Sequence, residues 1–115
     1  MSAPIVFFDI AGPDTQRLRD FYSRLFGWDS DGAGQFALNV ASPFLAAFRA
    51  DPAEKRMYIG VDDVTAKLQE VVENGGSIDV ERFEVPGVVV LGLFRDPAGN
   101  PMGLAELEDG KPKIP

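Results

Sequence analysis

The chain has neither cysteine nor histidine in its 115 residues. The first absence excludes disulfides, thiolate metal ligands and thiol nucleophiles; the second removes the commonest metal ligand and the side chain that titrates nearest neutrality. Any catalysis must therefore use carboxylates, Arg, Lys, Tyr or bound water. Basic residues are also scarce, with 11 Lys and Arg against 18 Asp and Glu and a formal net charge of -7. That balance repels phosphate backbones and anionic lipid, so neither nucleic acid nor a membrane surface is an expected partner. It reads either as solubility or as attraction for cationic ligands. No run approaches the ~18 apolar residues of a membrane span, and Met1 to Asp9 lacks the basic start and cleavage site of a signal peptide, so a cytoplasmic protein is expected.

Apolar content is ample at 45%, enough to bury one core, and residues 1–115 are expected to form one domain. "PIVFFDI" reads as a strand, and "GPD" breaks it. Asp14 is a good N-cap; Leu18, Phe21, Tyr22, Leu25 and Phe26 form one apolar helix face, and Gly27 is its stop. "QFALNV" and "FLAAFRA" read as a β-hairpin, and "ADPAEKR" as a flexible linker. The pattern then returns: "MYIGVDD" as a strand, Asp63 as N-cap, Val64, Leu68, Val71 and Val72 as a helical stripe, and Gly75–Gly76 as the stop. Three strands follow, "SIDVERFEV", "VVVLGLFR" and "PMGLAEL", and the polar tail "EDGKPKIP" is expected to fray or to pack across a neighbour. A period of about 50 residues signals duplicated modules, here 1–50 and 56–108, each a strand, a helix and two or three strands. The fold class is α+β.

Successive side chains of a strand point to opposite faces. Val6, Phe8 and Ile10, then Met57, Ile59 and Val61, then Met102 and Leu104 are all apolar and should face the helices. The other face carries Ile5, Phe7 and Asp9, then Arg56, Tyr58 and Gly60, then Pro101, Gly103 and Ala105. Aromatic walls, small residues and a few polar groups suit a ligand cavity. Asp9 and Arg56 occupy equivalent places and carry opposite charge, which fits ligand binding, a salt bridge between modules or two exposed side chains.

"FFDIAGPDTQRLRDFYSRLFGW", "YIGVDDVTAKLQEVVENGGSI" and "FRDPAGNPMGLAE", in that order, resemble the glyoxalase/bleomycin resistance/extradiol dioxygenase superfamily, also called vicinal oxygen chelate proteins, over nearly the whole chain. The resemblance implies two βαβββ modules whose sheets curl into a cup with helices outside. It also implies a homodimer. Enzymes of that family hold a divalent metal with His, Gln or Glu, and the corresponding positions here are Phe7, Arg56 and Gly103. Phe and Gly offer no donor and cationic Arg repels a metal, so no metal and no cofactor are expected. Gly103 is expected to open space in the cup, and the turn at Asp96–Asn100 to hold two strands in register. Glu106 falls off the cup face if its strand is regular.

The expected function is metal-independent binding of a small aromatic or cationic molecule in an apolar cup, with Phe7, Asp9, Phe36, Phe48, Arg56, Tyr58 and Gly103 as ligand-binding residues. Trp28 and Phe44 are further candidate walls, and plain core packing is the competing role for every aromatic. The alternative is a metal-free lyase or isomerase with Asp9 as base, Arg56 as anion stabiliser and Tyr58 as proton donor. A metal-dependent glyoxalase or dioxygenase has too few ligands.

Overall fold

The computed structural model describes residues 3–37 and 45–115. The chain is α+β and divides into two compact units, Phe7–Arg56 and Met1–Val6 with Met57–Pro115. Their boundaries fall inside two strands, β1 (Ile5–Gly12) and β4 (Glu54–Val61).

In the unit Phe7–Arg56, β1 runs parallel to β3 (Leu45–Ala50), from Phe7 opposite Leu45 to Gly12 opposite Ala50. The short β2 (Gln35–Ala37) pairs antiparallel with β3. Helix α1 (Thr15–Phe26) starts directly after Asp14, whose carbonyl accepts from the Leu18 amide, and ends at Gly27 with φ of 69°. Ile10, Phe36, Ala46 and Phe48 are buried, and Phe8, Leu18 and Trp28 pack against them. The hairpin residues 38–44, with Phe44, and the side chains of Phe21, Tyr22, Leu25 and Phe26 lie outside the described residues.

In the other unit the strand order is β4, β7 (Pro101–Glu108), β6 (Val89–Arg95), β5 (Ser77–Val85), with β4 parallel to β7 and the other pairs antiparallel. Helix α2 (Val64–Glu73) begins where Asp63 accepts from the Ala66 amide at 2.9 Å, the N-cap read from sequence. Its apolar stripe places Val64 and Leu68 against Val61, Phe94 and Leu104, with Ile59 and Met102 alongside. Full burial of a Val or Leu side chain contributes about 1.5–3 kcal/mol, so this seam fixes the helix on the sheet. Of the residues assigned to the helix side, Met57 departs, being 46% exposed.

The turn after β6 is held by one side chain. Asp96 Oδ1 accepts from the amides of Ala98 and Asn100, both at 2.9 Å, and Oδ2 accepts from the Asn100 side chain at 2.7 Å. Those bonds, the Asn100 side chain foremost, hold the Asp96 carboxyl below its ordinary range. Of the two expectations for the tail, fraying is not what is seen. Asp109 and Gly110 both have positive φ, which turns the chain back so that β8 (Lys111–Pro112) pairs with β7. The Gly87 amide then donates to the Pro115 carbonyl, so the tail is tied to its own unit.

Candidate functional site

In the unit Phe7–Arg56, Phe7 and Asp9 lie on one side of β1, and the parallel register sets Asp9 opposite Ala47 and Ala11 opposite Arg49. Arg49 therefore rises from β3 on the same side, and its Nε stands 2.8 Å from Asp9 Oδ2. Its other nitrogens meet Asp51 Oδ2 at 2.9 Å and Glu54 Oε2. Glu54 also takes Arg56, with Nε at 3.2 Å and a second nitrogen at 3.4 Å. A carboxylate shared between two guanidiniums thus lies at the middle of a chain of ion pairs that starts at Asp9.

Two members are nearly withdrawn from water, Asp9 at 2% exposure and Arg56 at 4%. Removing charges from water is costly, and only close partners repay it. Burial works against ionisation of Arg49, yet hydrogen bonding and attraction from Asp9, with Glu54 and Asp51, raise its pKa above the ordinary value. Burial likewise tends to raise Glu54, but the hydrogen bonds from Arg56 and Arg49 outweigh it and hold the carboxyl low. Among the described residues this cluster joins three carboxylates to two guanidiniums, one negative charge more than positive.

Sequence reasoning names Asp9 and Arg56 as candidates but not Arg49 and Glu54, which the structure links to them. Glu54–Arg56 fall at the end of the expected linker, whereas they begin β4, with only Asp51–Ala53 forming the bend. The overlooked signal was alternation: Ala47 and Arg49 share the face of Asp9, and Glu54 and Arg56 share a face of β4. Phe36 and Phe48, expected as cavity walls, sit in the packed core. Their rings stack at 4.7 Å, and Trp28 stacks on Phe36 at 5.5 Å. At 4% and 3% exposure both are enclosed by Ile10, Ala46 and Leu18.

In the other unit, Tyr58 lies opposite Gly103 in the β4–β7 register and is 3% exposed. A Cβ added to Gly103 would stand 2.4 Å from Tyr58 Cδ2 and 2.6 Å from Cε2. The room left by the missing side chain is therefore taken by the tyrosine ring, which corrects the expectation that Gly103 leaves open space. Glu106 is buried at 6% exposure and accepts from the Val64 amide at 3.1 Å. Arg82 grips the same carboxylate at 2.6 Å, and Lys113 stands 3.8 Å away. The Arg82 hydrogen bond is the main reason its pKa lies below the usual carboxylate value. Glu106 thus covers the start of α2, on the helix side as its strand position implied.

These contacts bear on the divalent metal that the resemblance implies. Of the three corresponding positions, Phe7 has no donor, Arg56 is a cation bound to Glu54, and Gly103 lies under a ring. Asp9, Asp51 and Glu54 are each paired with a guanidinium, and among the described residues no three potential metal ligands are grouped. The residues present do not fit a resident metal.

A family profile described as a glyoxalase-like domain matches residues 5–105. CFP32 of Mycobacterium tuberculosis, which carries a glyoxylase name, is 28% identical over 111 residues, covering 84% of this chain and 42% of that protein. The anthracycline biosynthesis protein DnrV of Streptomyces peucetius is 28% identical over 118 residues, covering 81% of this chain and 43% of that protein. The chain thus spans less than half the length of these curated relatives. Among solved structures, a variant of methylmalonyl-CoA epimerase from Streptomyces coelicolor, in complex with 2-nitronate-propionyl-CoA, superposes with a TM-score of 0.67 at 17% identity. That match covers 91% of this chain and 98% of the epimerase, and at such identity it speaks to the fold.

Proposed function

The chain belongs to the glyoxalase-like domain family, and from that premise we propose that it binds a small aromatic or cationic molecule without a metal ion, beside the ion-pair chain of Asp9, Arg49, Glu54 and Arg56. The observation that carries this reading is a partly buried chain of ion pairs in which Arg56 stands at one of the positions where the resemblance implies a metal donor. Such networks are poor sources of stability, because desolvation offsets most of the attraction. They are well suited to presenting fixed charge to a ligand, and perturbed ionisable groups mark functional sites more often than inert ones. The excess negative charge favours a cationic ligand, and Phe7, two residues from Asp9 on the same side of β1, supports an aromatic one.

In this reading Asp9 and Glu54 contribute field and shape, and the two arginines hold them in place. The protein acts as a homodimer, as the resemblance implies; a monomer by light scattering at micromolar concentration would sink that part.

The test is calorimetric titration with benzyltrimethylammonium, an aromatic cation, in buffer with EDTA. Saturable binding that EDTA leaves unchanged is expected, weakened about tenfold or ~1.4 kcal/mol by Asp9→Asn. Binding that appears only after addition of a divalent metal, or none at all, contradicts the reading. Turnover of a carbonyl substrate that Asp9→Asn abolishes while binding persists would instead favour the metal-free lyase or isomerase.

A further inference from the structure

A separate polar cavity lies between α1 and the loop that follows it. Gln16, Arg19, Asp20 and Ser23 recur at three- and four-residue intervals and so share one helix face, and Asp29 and Ser30 from the following loop complete the lining. None of these residues belongs to the Asp9 network. The cavity measures about 190 Å³, smaller than a drug-sized pocket and roughly the room of six waters at ~30 Å³ each.

Its charges are unbalanced locally. Arg19 Nε is buried without a hydrogen-bond partner, and among the described residues no carboxylate stands within ion-pairing distance of this guanidinium. Yet Asp20 and Asp29 line the same cavity. Each has one oxygen satisfied, Asp20 Oδ1 by the Gln16 side chain at 3.0 Å and Asp29 Oδ1 by the Ser23 hydroxyl. The terminal nitrogen of Arg19 reaches Gly34, where an added Cβ would come within 2.9 Å of it. A guanidinium with no carboxylate partner among the described residues is open to an acceptor brought by a bound molecule.

We propose that this cavity binds a small zwitterion of the amino-acid type, its carboxylate on Arg19 and its ammonium between Asp20 and Asp29. A simple anion would meet the Arg19 donor but suffer repulsion from two carboxylates; a simple cation would meet the reverse. A molecule carrying both charges satisfies both sets. The cavity is small, which suits the smaller amino acids.

The test is titration of the isotopically labelled full chain with L-serine, followed by amide chemical shifts, with acetate and ethylammonium as half-ligands. Saturable shifts at Ser23, Asp29 and Ser30 are expected with L-serine, at least tenfold weaker with either half-ligand. Arg19→Gln should abolish them and Asp29→Asn should weaken them, with both variants giving a folded spectrum. The proposal is overturned by absence of saturation up to about 50 mM L-serine, by shifts that survive Arg19→Gln, or by acetate binding as well as L-serine, which would mark a plain anion site. Because the benzyltrimethylammonium titration depends on Asp9, failure of either test leaves the other standing.

Discussion

Replacing Gly103 by alanine sets a methyl group against the face of Tyr58, with the nearest ring carbons 2.4, 2.6 and 3.1 Å away. Contacts between carbon atoms are optimal near 3.5–4.0 Å. The ring must therefore move by about an ångström, and at 3% exposure it has little free space to enter. Overpacking of this kind costs about 1–3 kcal/mol. At about 4 °C per kcal/mol for a domain of this size, Gly103→Ala should lower the midpoint of thermal unfolding by roughly 4–12 °C. The assay is circular dichroism on heating, repeated in a Tyr58→Leu background, where the methyl no longer faces a ring. Most of the penalty should vanish there, giving a coupling of at least ~1 kcal/mol. A Gly103→Ala change within ~0.5 kcal/mol of neutral, or an equal loss in both backgrounds, would refute the close approach of ring and glycine.

Three other expectations follow from the same contacts. Removing the N-cap of α2 by Asp63→Ala should cost about 1 kcal/mol by urea denaturation, and an unchanged midpoint would mean that Glu106 alone suffices at that helix end. The Glu106 carboxyl lies below its ordinary value of 4.5, so its stabilising contribution is complete above that pH and is lost as the pH falls through the lower folded value. The stability gap between the native chain and Glu106→Gln, measured by urea denaturation, should therefore narrow below about pH 4.5, and a gap independent of pH would contradict the assignment. Asp96→Ala should loosen the turn to Asn100 and speed hydrogen exchange at Ala98 and Asn100; equal exchange would show that the Asp96 side chain does not hold it.

What was legible in the sequence was mainly what is local. Asp63, Asp96 and the glycine after α1 act on neighbours within a few residues, where capping and turn chemistry are specific. Strand alternation identified which residues of β4 and β7 meet α2, because burial on one face imposes that pattern. The ion-pair chain was not legible, since Arg49 meets Asp9 only once the parallel register of β1 and β3 is known, and nothing local sets that register. Phe36 and Phe48 were misplaced for a related reason: an aromatic in a short strand suits a cavity wall or a core equally, and Leu18 and Trp28 decide between them. The tail stays open between fraying and packing on sequence alone, because its polar composition outweighs the Asp109–Gly110 turn signal.

The most direct test of the metal-free reading is native mass spectrometry of freshly purified protein, with metal content determined on the same sample. The account predicts a mass free of stoichiometric divalent metal, before and after incubation with zinc, nickel and manganese, and retention of benzyltrimethylammonium binding throughout. One tightly held metal per chain, with ligand binding lost on its removal, would contradict it.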